Sequence, residues 1–277
     1  MRPAGMSVLD HLRSAGQPGH VILIDPDDQS PDVAAQRCIA AVSAGSRLIF
    51  VGGSTGTDDD NVDTTCVAIQ EALELCTWNA SQDSTSDEGR WRIPVVLFPA
   101  AASALSSAAD AITFMMLMNS HDRAFLIGEQ VKGAPQVRAA GIEPLSMGYL
   151  VCEPGGRVGE VGRADLFAAD DVDGISDHAM CAQAYGFQVL YLEAGSGSAT
   201  PVSAELIRAA RKAAPDLILF VGGGIRDGTA ARRAVEAGAD WLVTGNLTEG
   251  FADASSLESS LTDLIGEMRA GHASRDH

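Results

Sequence analysis

Tyr191-Leu192-Glu193-Ala194-Gly195-Ser196-Gly197-Ser198 runs from an apolar segment straight into a glycine-rich turn. The same transition recurs at Val221-Gly222-Gly223-Gly224-Ile225-Arg226 and at Val243-Thr244-Gly245-Asn246. Glycine lets backbone N–H groups converge on an anion with no side chain in the way. One such turn merely ends a strand, but three at successive strand ends form a cup for phosphate. In closed barrels of alternating strands and helices, the turns after the seventh and eighth strands are the recurrent phosphate site. These stretches therefore favour a (βα)8 TIM barrel over an open doubly wound sheet, a choice that periodicity leaves open. The Gly222 turn lacks the Gly-x-Gly-x-x-Gly spacing and the acidic partner of a dinucleotide site, which argues against a nicotinamide cofactor.

Working outward, short apolar runs alternate with alanine-rich helical stretches along the whole chain. The runs are His20 to Asp25, Leu48 to Gly52, Pro94 to Phe98, Ala111 to Leu117, Pro144 to Cys152, Gln188 to Glu193, Leu217 to Gly222 and Trp241 to Thr244. Runs so continuously apolar suit strands buried on both faces of a parallel sheet. Helices are predicted over Asp32 to Ser43, Val62 to Leu75, Val202 to Ala213, Gly228 to Ala237 and Ser255 to Arg269. Ser30-Pro31 supplies an N-cap followed by proline, and Gly45 and Gly238 stand where αL caps belong. The expectation is one barrel over 1–277, with a polar surface insertion at about 77–91 and a frayed tail at about 270–277. A helix followed by a strand is read in Leu97 to Met118, and a long active-side loop in Glu153 to Asp177.

The composition narrows the function. With 46% hydrophobic and 20% charged residues this is an ordinary globular chain. A net charge of −18 from 19 basic and 37 acidic residues excludes a nucleic-acid surface, which needs clustered Lys and Arg. Five cysteines with no Cys-x-x-Cys pair fit neither a disulfide framework nor a zinc site and point to a reducing, cytoplasmic compartment. No charge-free apolar run has the length of a membrane span.

Two strand ends carry candidate chemistry. Ile24-Asp25-Pro26-Asp27-Asp28 offers a carboxylate at the mouth of the barrel, a hard ligand suited to Mg2+ that bridges to substrate phosphates, and the next strand ends at Gly52-Gly53-Ser54 with a hydroxyl. Asp27 and Asp28 read as caps of the following helix. Glu193 ends its strand just before a glycine turn, where it can take a proton from a substrate hydroxyl. Tyr191 shares its face by strand alternation and reads equally well as a buried structural residue.

Taken together, Leu23 to Asp27, Phe50 to Ser54, Met118 to Ser120, Tyr191 to Gly197, Val221 to Arg226 and Val243 to Asn246 resemble the geranylgeranylglyceryl phosphate synthase family. That family is related to the heptaprenylglyceryl phosphate synthases. The resemblance implies a modified (βα)8 barrel that joins a polyprenyl diphosphate to sn-glycerol 1-phosphate with Mg2+, forming the ether bond of archaeal-type lipids. It further implies that Asp25 and Ser54 bind the metal, and that Tyr191, Leu192, Glu193, Ala194, Gly195, Ser196, Gly197, Gly222, Gly223, Gly224, Gly245 and Asn246 bind glycerol phosphate. Ala100, where the family is expected to carry glycine, and Phe114 to Ser120 depart from the pattern along the barrel wall where the prenyl chain should lie.

Asp25 and Glu193 are thus the expected catalytic residues, with the prenyl chain in an open trough along Ala100 to Met118. A weak peripheral membrane contact and a homo-oligomeric state are further expectations. The alternatives are the same chemistry on a heptaprenyl-type donor, a sugar-phosphate isomerase or aldolase, and a non-catalytic phosphate-binding barrel. An isomerase or aldolase would need a Lys or paired carboxylates at the mouth, and no strand end supplies that Lys.

Overall fold

The structure, a computed structural model, describes residues 6–14, 16, 18–53, 55–83, 87–245 and 253–275. Eight parallel strands close into a barrel in sequence order. They are β1 Gly19–Ile24, β2 Leu48–Val51, β3 Val95–Leu97, β4 Ala111–Leu117, β5 Glu143–Val151, β6 Val189–Glu193, β7 Ile218–Gly222 and β8 Trp241–Thr244. Pairing of Ile22 with Thr244 completes the ring. Each apolar run becomes a strand within a residue or so of its expected ends, because a strand buried on both faces has no polar face to blur its limits.

The helices are α1 Val8–Arg13, α2 Pro31–Ala44, α3 Asp59–Ser81, α4 Glu129–Ala140, α5 Gly156–Val161, α6 Val172–Ala184, α7 Ala204–Ala213, α8 Gly228–Ala237 and α9 Ala254–Arg275. Ser30 caps α2 through the Val33 amide at 3.4 Å, with Pro31 in its first turn. Gly45 and Gly238 end α2 and α8 at φ 113° and 125°. Three expectations are corrected. The polar segment at about 77–91 begins inside α3, which runs to Ser81, and contains a 3-10 turn at Glu88–Trp91. The tail at about 270–277 is helical to Arg275. The Glu153 to Asp177 stretch holds α5 and the start of α6.

The β3–β4 connection, residues 98–110, carries no helix where one is expected before the strand. Its alanines suit a helix by propensity, but Ala102 packs near Gly133 of α4, so the segment lies as an irregular wall. With no helix over this sector, Phe114, Met115 and Met116 of β4 are only half-buried.

Inside the barrel, Phe98, Phe50, Phe220 and Trp241 stack in series at centroid spacings of 5.2, 5.8 and 5.7 Å. Aromatic residues are only 5% of the chain, yet these four and Tyr149 and Tyr191 meet in the lumen, where each fully buried ring contributes about 2 kcal/mol. At the end opposite the glycine turns α1 plugs the barrel, its Leu12 carbonyl accepting from the Trp241 indole at 3.4 Å. Glu143 caps α1 by accepting from the amides of Val8 and Leu9 at 2.6 and 3.0 Å.

Candidate active site

Strand alternation points Tyr191 and Glu193 into the lumen, while Leu190 and Leu192 face the outer helices. Glu193 is 6% exposed and accepts from the Gly195 amide at 2.6 Å and from the Tyr191 hydroxyl. Burial holds its carboxyl above the usual carboxylate range, and the bonds from Tyr191, Gly195 and Ala194 pull partly the other way. Burial, with Glu193 beside it, keeps the Tyr191 phenol protonated far above its usual range. Tyr191 belongs to the aromatic core, lines the cup beside it and donates to Glu193. Leu192 and Ala194, expected in the glycerol phosphate site, turn their side chains into the outer core and offer main chain alone.

The glycine turns meet because they lack side chains. A Cβ on Gly223 would strike Glu193 and the amides of Ala194 and Gly195, and one on Gly222 would strike the Tyr191 hydroxyl. Gly195, Gly197, Gly223 and Gly224 have φ of 99°, 74°, 78° and 70°, the left-handed region that glycine enters freely. Their cup, about 40 Å3, is lined by Leu23, Tyr191, Glu193, Ser196 to Ser198, Gly223 to Arg226 and Val243 to Gly245. It suits a small anion.

Beside it opens a larger cavity of about 160 Å3, walled by the helix-free β3–β4 segment, β4, α4 and α5. Phe98, Ala102, Leu105, Ile112, Phe114, Met115, Phe125 and Val137 make it apolar, and Asp25, Asp28, Gly52 and Gly53 form a polar end. Leu23, Glu193, Ser196 and Gly245 line both spaces. Glu193 thus stands at the junction of an apolar groove and the glycine cup.

Asp25 is held by its own turn, one carboxylate oxygen accepting from the Asp27 amide at 3.0 Å. Its carboxylate lies flush against Gly53, where any side chain would collide with it. Asp27 and Asp28 do not cap α2, a task Ser30 performs; Asp27 packs on Gly56 and Asp28 joins Asp25 at the groove. Among the described residues no group of three or more His, Cys, Asp or Glu forms a closed metal cage. One or two carboxylates beside an open space fit an ion that shares its coordination with substrate phosphates and water, the habit of Mg2+. Ser54 and Asn246 lie outside the described residues.

Sequence reading missed α4, α5 and Tyr149 as parts of the site. Gly133 and Pro135 inside α4 broke its helical signal. Tyr149, whose ring sits 5.1 Å from that of Tyr191, could have been found from the inward parity of β5.

The PcrB family model matches residues 11–260. The geranylgeranylglyceryl phosphate synthase of Methanothrix thermoacetophila is 42% identical over 234 residues, 84% of this chain and 85% of that protein. That of Methanosarcina acetivorans is 39% identical over 246 residues, 89% of this chain and 92% of its own length. Among solved structures, (S)-3-O-geranylgeranylglyceryl phosphate synthase from Thermoplasma acidophilum, in complex with its substrate sn-glycerol-1-phosphate, superposes with a TM-score of 0.84 at 35% identity, covering 96% of this chain and 99% of that one.

Proposed function

The chain belongs to the PcrB family, and from that premise we propose that it is a prenyltransferase joining geranylgeranyl diphosphate to the hydroxyl of sn-glycerol 1-phosphate. One observation carries the reading: Glu193 lines both the apolar groove and the glycine cup. A reaction between a long apolar donor and a small phosphorylated acceptor needs two such compartments with a base between them. An isomerase or aldolase has no use for the groove.

In this reading the cup binds the acceptor's phosphate through the amides of the β6, β7 and β8 turns, and the groove takes the prenyl chain. Asp25, with Ser54, would hold Mg2+ at the groove's polar end. When bound, Mg2+ supplies positive charge facing the diphosphate. The acceptor oxygen forms a bond to the allylic carbon, the carbon–oxygen bond to diphosphate breaks, and the hydroxyl proton passes to Glu193. Tyr191 and the Gly195 amide orient that carboxylate, while its partly desolvated state makes it a stronger base than an exposed one. The aromatic lumen below shields the allylic carbon from water.

Five free cysteines support a cytoplasmic setting, and no described helix is long and apolar enough to cross a membrane. Exposed Trp78 and Leu75 on α3 and Val131 on α4 offer apolar surface for a homo-oligomer or a weak peripheral membrane contact. Turnover of Asp25→Asn and Glu193→Gln with saturating substrates and Mg2+ tests the roles. Each variant is expected to fall about 100-fold or more in kcat, and wild-type rates in both would refute the assignment.

A further inference from the structure

Phosphate is a dianion near neutral pH, and the cup that receives it opens on a chain of net charge −18. Glu193 lines the same cup, and Asp227 caps α8 just after the β7 turn. Backbone amides alone would face this anionic field. Among the described residues lining the cup or the groove, one side chain is cationic, Arg226. It follows the Gly222-Gly223-Gly224 turn of β7 and donates through Nη2 to the Gly197 carbonyl at 2.6 Å, tying that turn to the β6 turn. A guanidinium has five N–H donors in a fixed fork, so one bond to a carbonyl leaves the rest of the fork for an anion. Arg226 is exposed at the cup's rim, where those donors cost little to keep available.

We propose that Arg226 reads the charge of the acceptor: it staples the β6 and β7 turns through Gly197 and pairs directly with the phosphate dianion in the cup. The proposal rests on the reading of the cup as a phosphate site and adds to it the residue that selects a dianionic phosphomonoester. Neighbouring glycines set the shape, and Arg226 sets the charge preference.

Calorimetric titration of inorganic phosphate and of sn-glycerol 1-phosphate into the wild type, Arg226→Lys, Arg226→Gln and Arg226→Ala, each at low and high salt, tests this. Gln keeps a side-chain N–H donor but carries no charge. The expected result is that Arg226→Gln binds both ligands about 10- to 100-fold more weakly, with a flatter salt dependence than the wild type. Arg226→Lys should recover part of the loss. In the coupling reaction, KM for the acceptor should rise in Arg226→Gln while kcat stays within about twofold, the pattern of lost uniform binding. Wild-type affinity in Arg226→Gln with loss only in Arg226→Ala would make the residue a staple and overturn the charge role, as would wild-type affinity in all three. A wild type that binds neither phosphate would bring down the cup itself, a failure visible without any variant.

Discussion

Glu193 has a cost that its position explains. A carboxyl whose folded-state pKa is raised by burial contributes its stability below the ordinary carboxylate range and loses it as pH rises through the raised value. Above that raised value the ionised side chain therefore strains the fold that positions it. Glu193→Gln keeps the shape and can still accept from the Gly195 amide, so it should melt higher than the wild type at pH 8, with a smaller gap at pH 5. Equal melting temperatures at both values would mean that the carboxylate is not desolvated. The same shift predicts that the acid limb of kcat/KM lies above the ordinary carboxylate range. At this scale the sequence was legible where chemistry needs a particular side chain at a strand end, as with Asp25 and Glu193. It was not legible for Asp27 and Asp28, because packing on Gly56 and reach to the groove depend on how a turn closes in three dimensions.

At the scale of elements, the missing helix between β3 and β4 turns a sealed barrel wall into a groove. Alanine-rich sequence from Ala100 to Ala109 looked helical since alanine has the highest helix propensity, but small side chains also suit the wall of a cavity, and tertiary context chose the second. Gly133 of α4 faces that wall, with the Ala102 Cβ 3.4 Å from where its own Cβ would stand. Gly133→Phe should therefore fill the groove. Expected is a KM for a twenty-carbon donor raised about tenfold or more, while a five- or ten-carbon donor is little affected, as a donor-length series would reveal. Another element-level device is the seam between β1 and β8. His20, fully buried, bonds Ser46 Oγ at 2.7 Å and Thr244 Oγ1 at 2.9 Å. Burial lowers its pKa from 6.5 to about 3. Between those values the unfolded chain binds a proton that the folded chain refuses, so stability should fall as pH drops through that window. His20→Gln should be less stable than the wild type at pH 7, and the difference should shrink as pH falls. A constant difference would show that the imidazole is not held neutral.

Across the whole molecule, closure of the barrel brings Asp25, just past the first strand, and Glu193, at the end of the sixth, into the lining of one groove although they are distant in sequence. The eight strands were legible because both-face burial leaves an uninterrupted apolar run, and the glycine turns because φ values of 70–99° select glycine. The junction itself was not, since it exists only where two cavities share Leu23, Glu193, Ser196 and Gly245. A net charge of −18 favours an aqueous surface, while the product the chain is proposed to release is a lipid. The most direct test incubates the wild-type protein with labelled sn-glycerol 1-phosphate, geranylgeranyl diphosphate and Mg2+, and follows both organic-extractable label and free diphosphate. The account predicts one prenylglyceryl phosphate formed for each diphosphate released. It would be contradicted by a protein that binds both substrates yet yields no extractable product, even at enzyme concentrations equal to substrate.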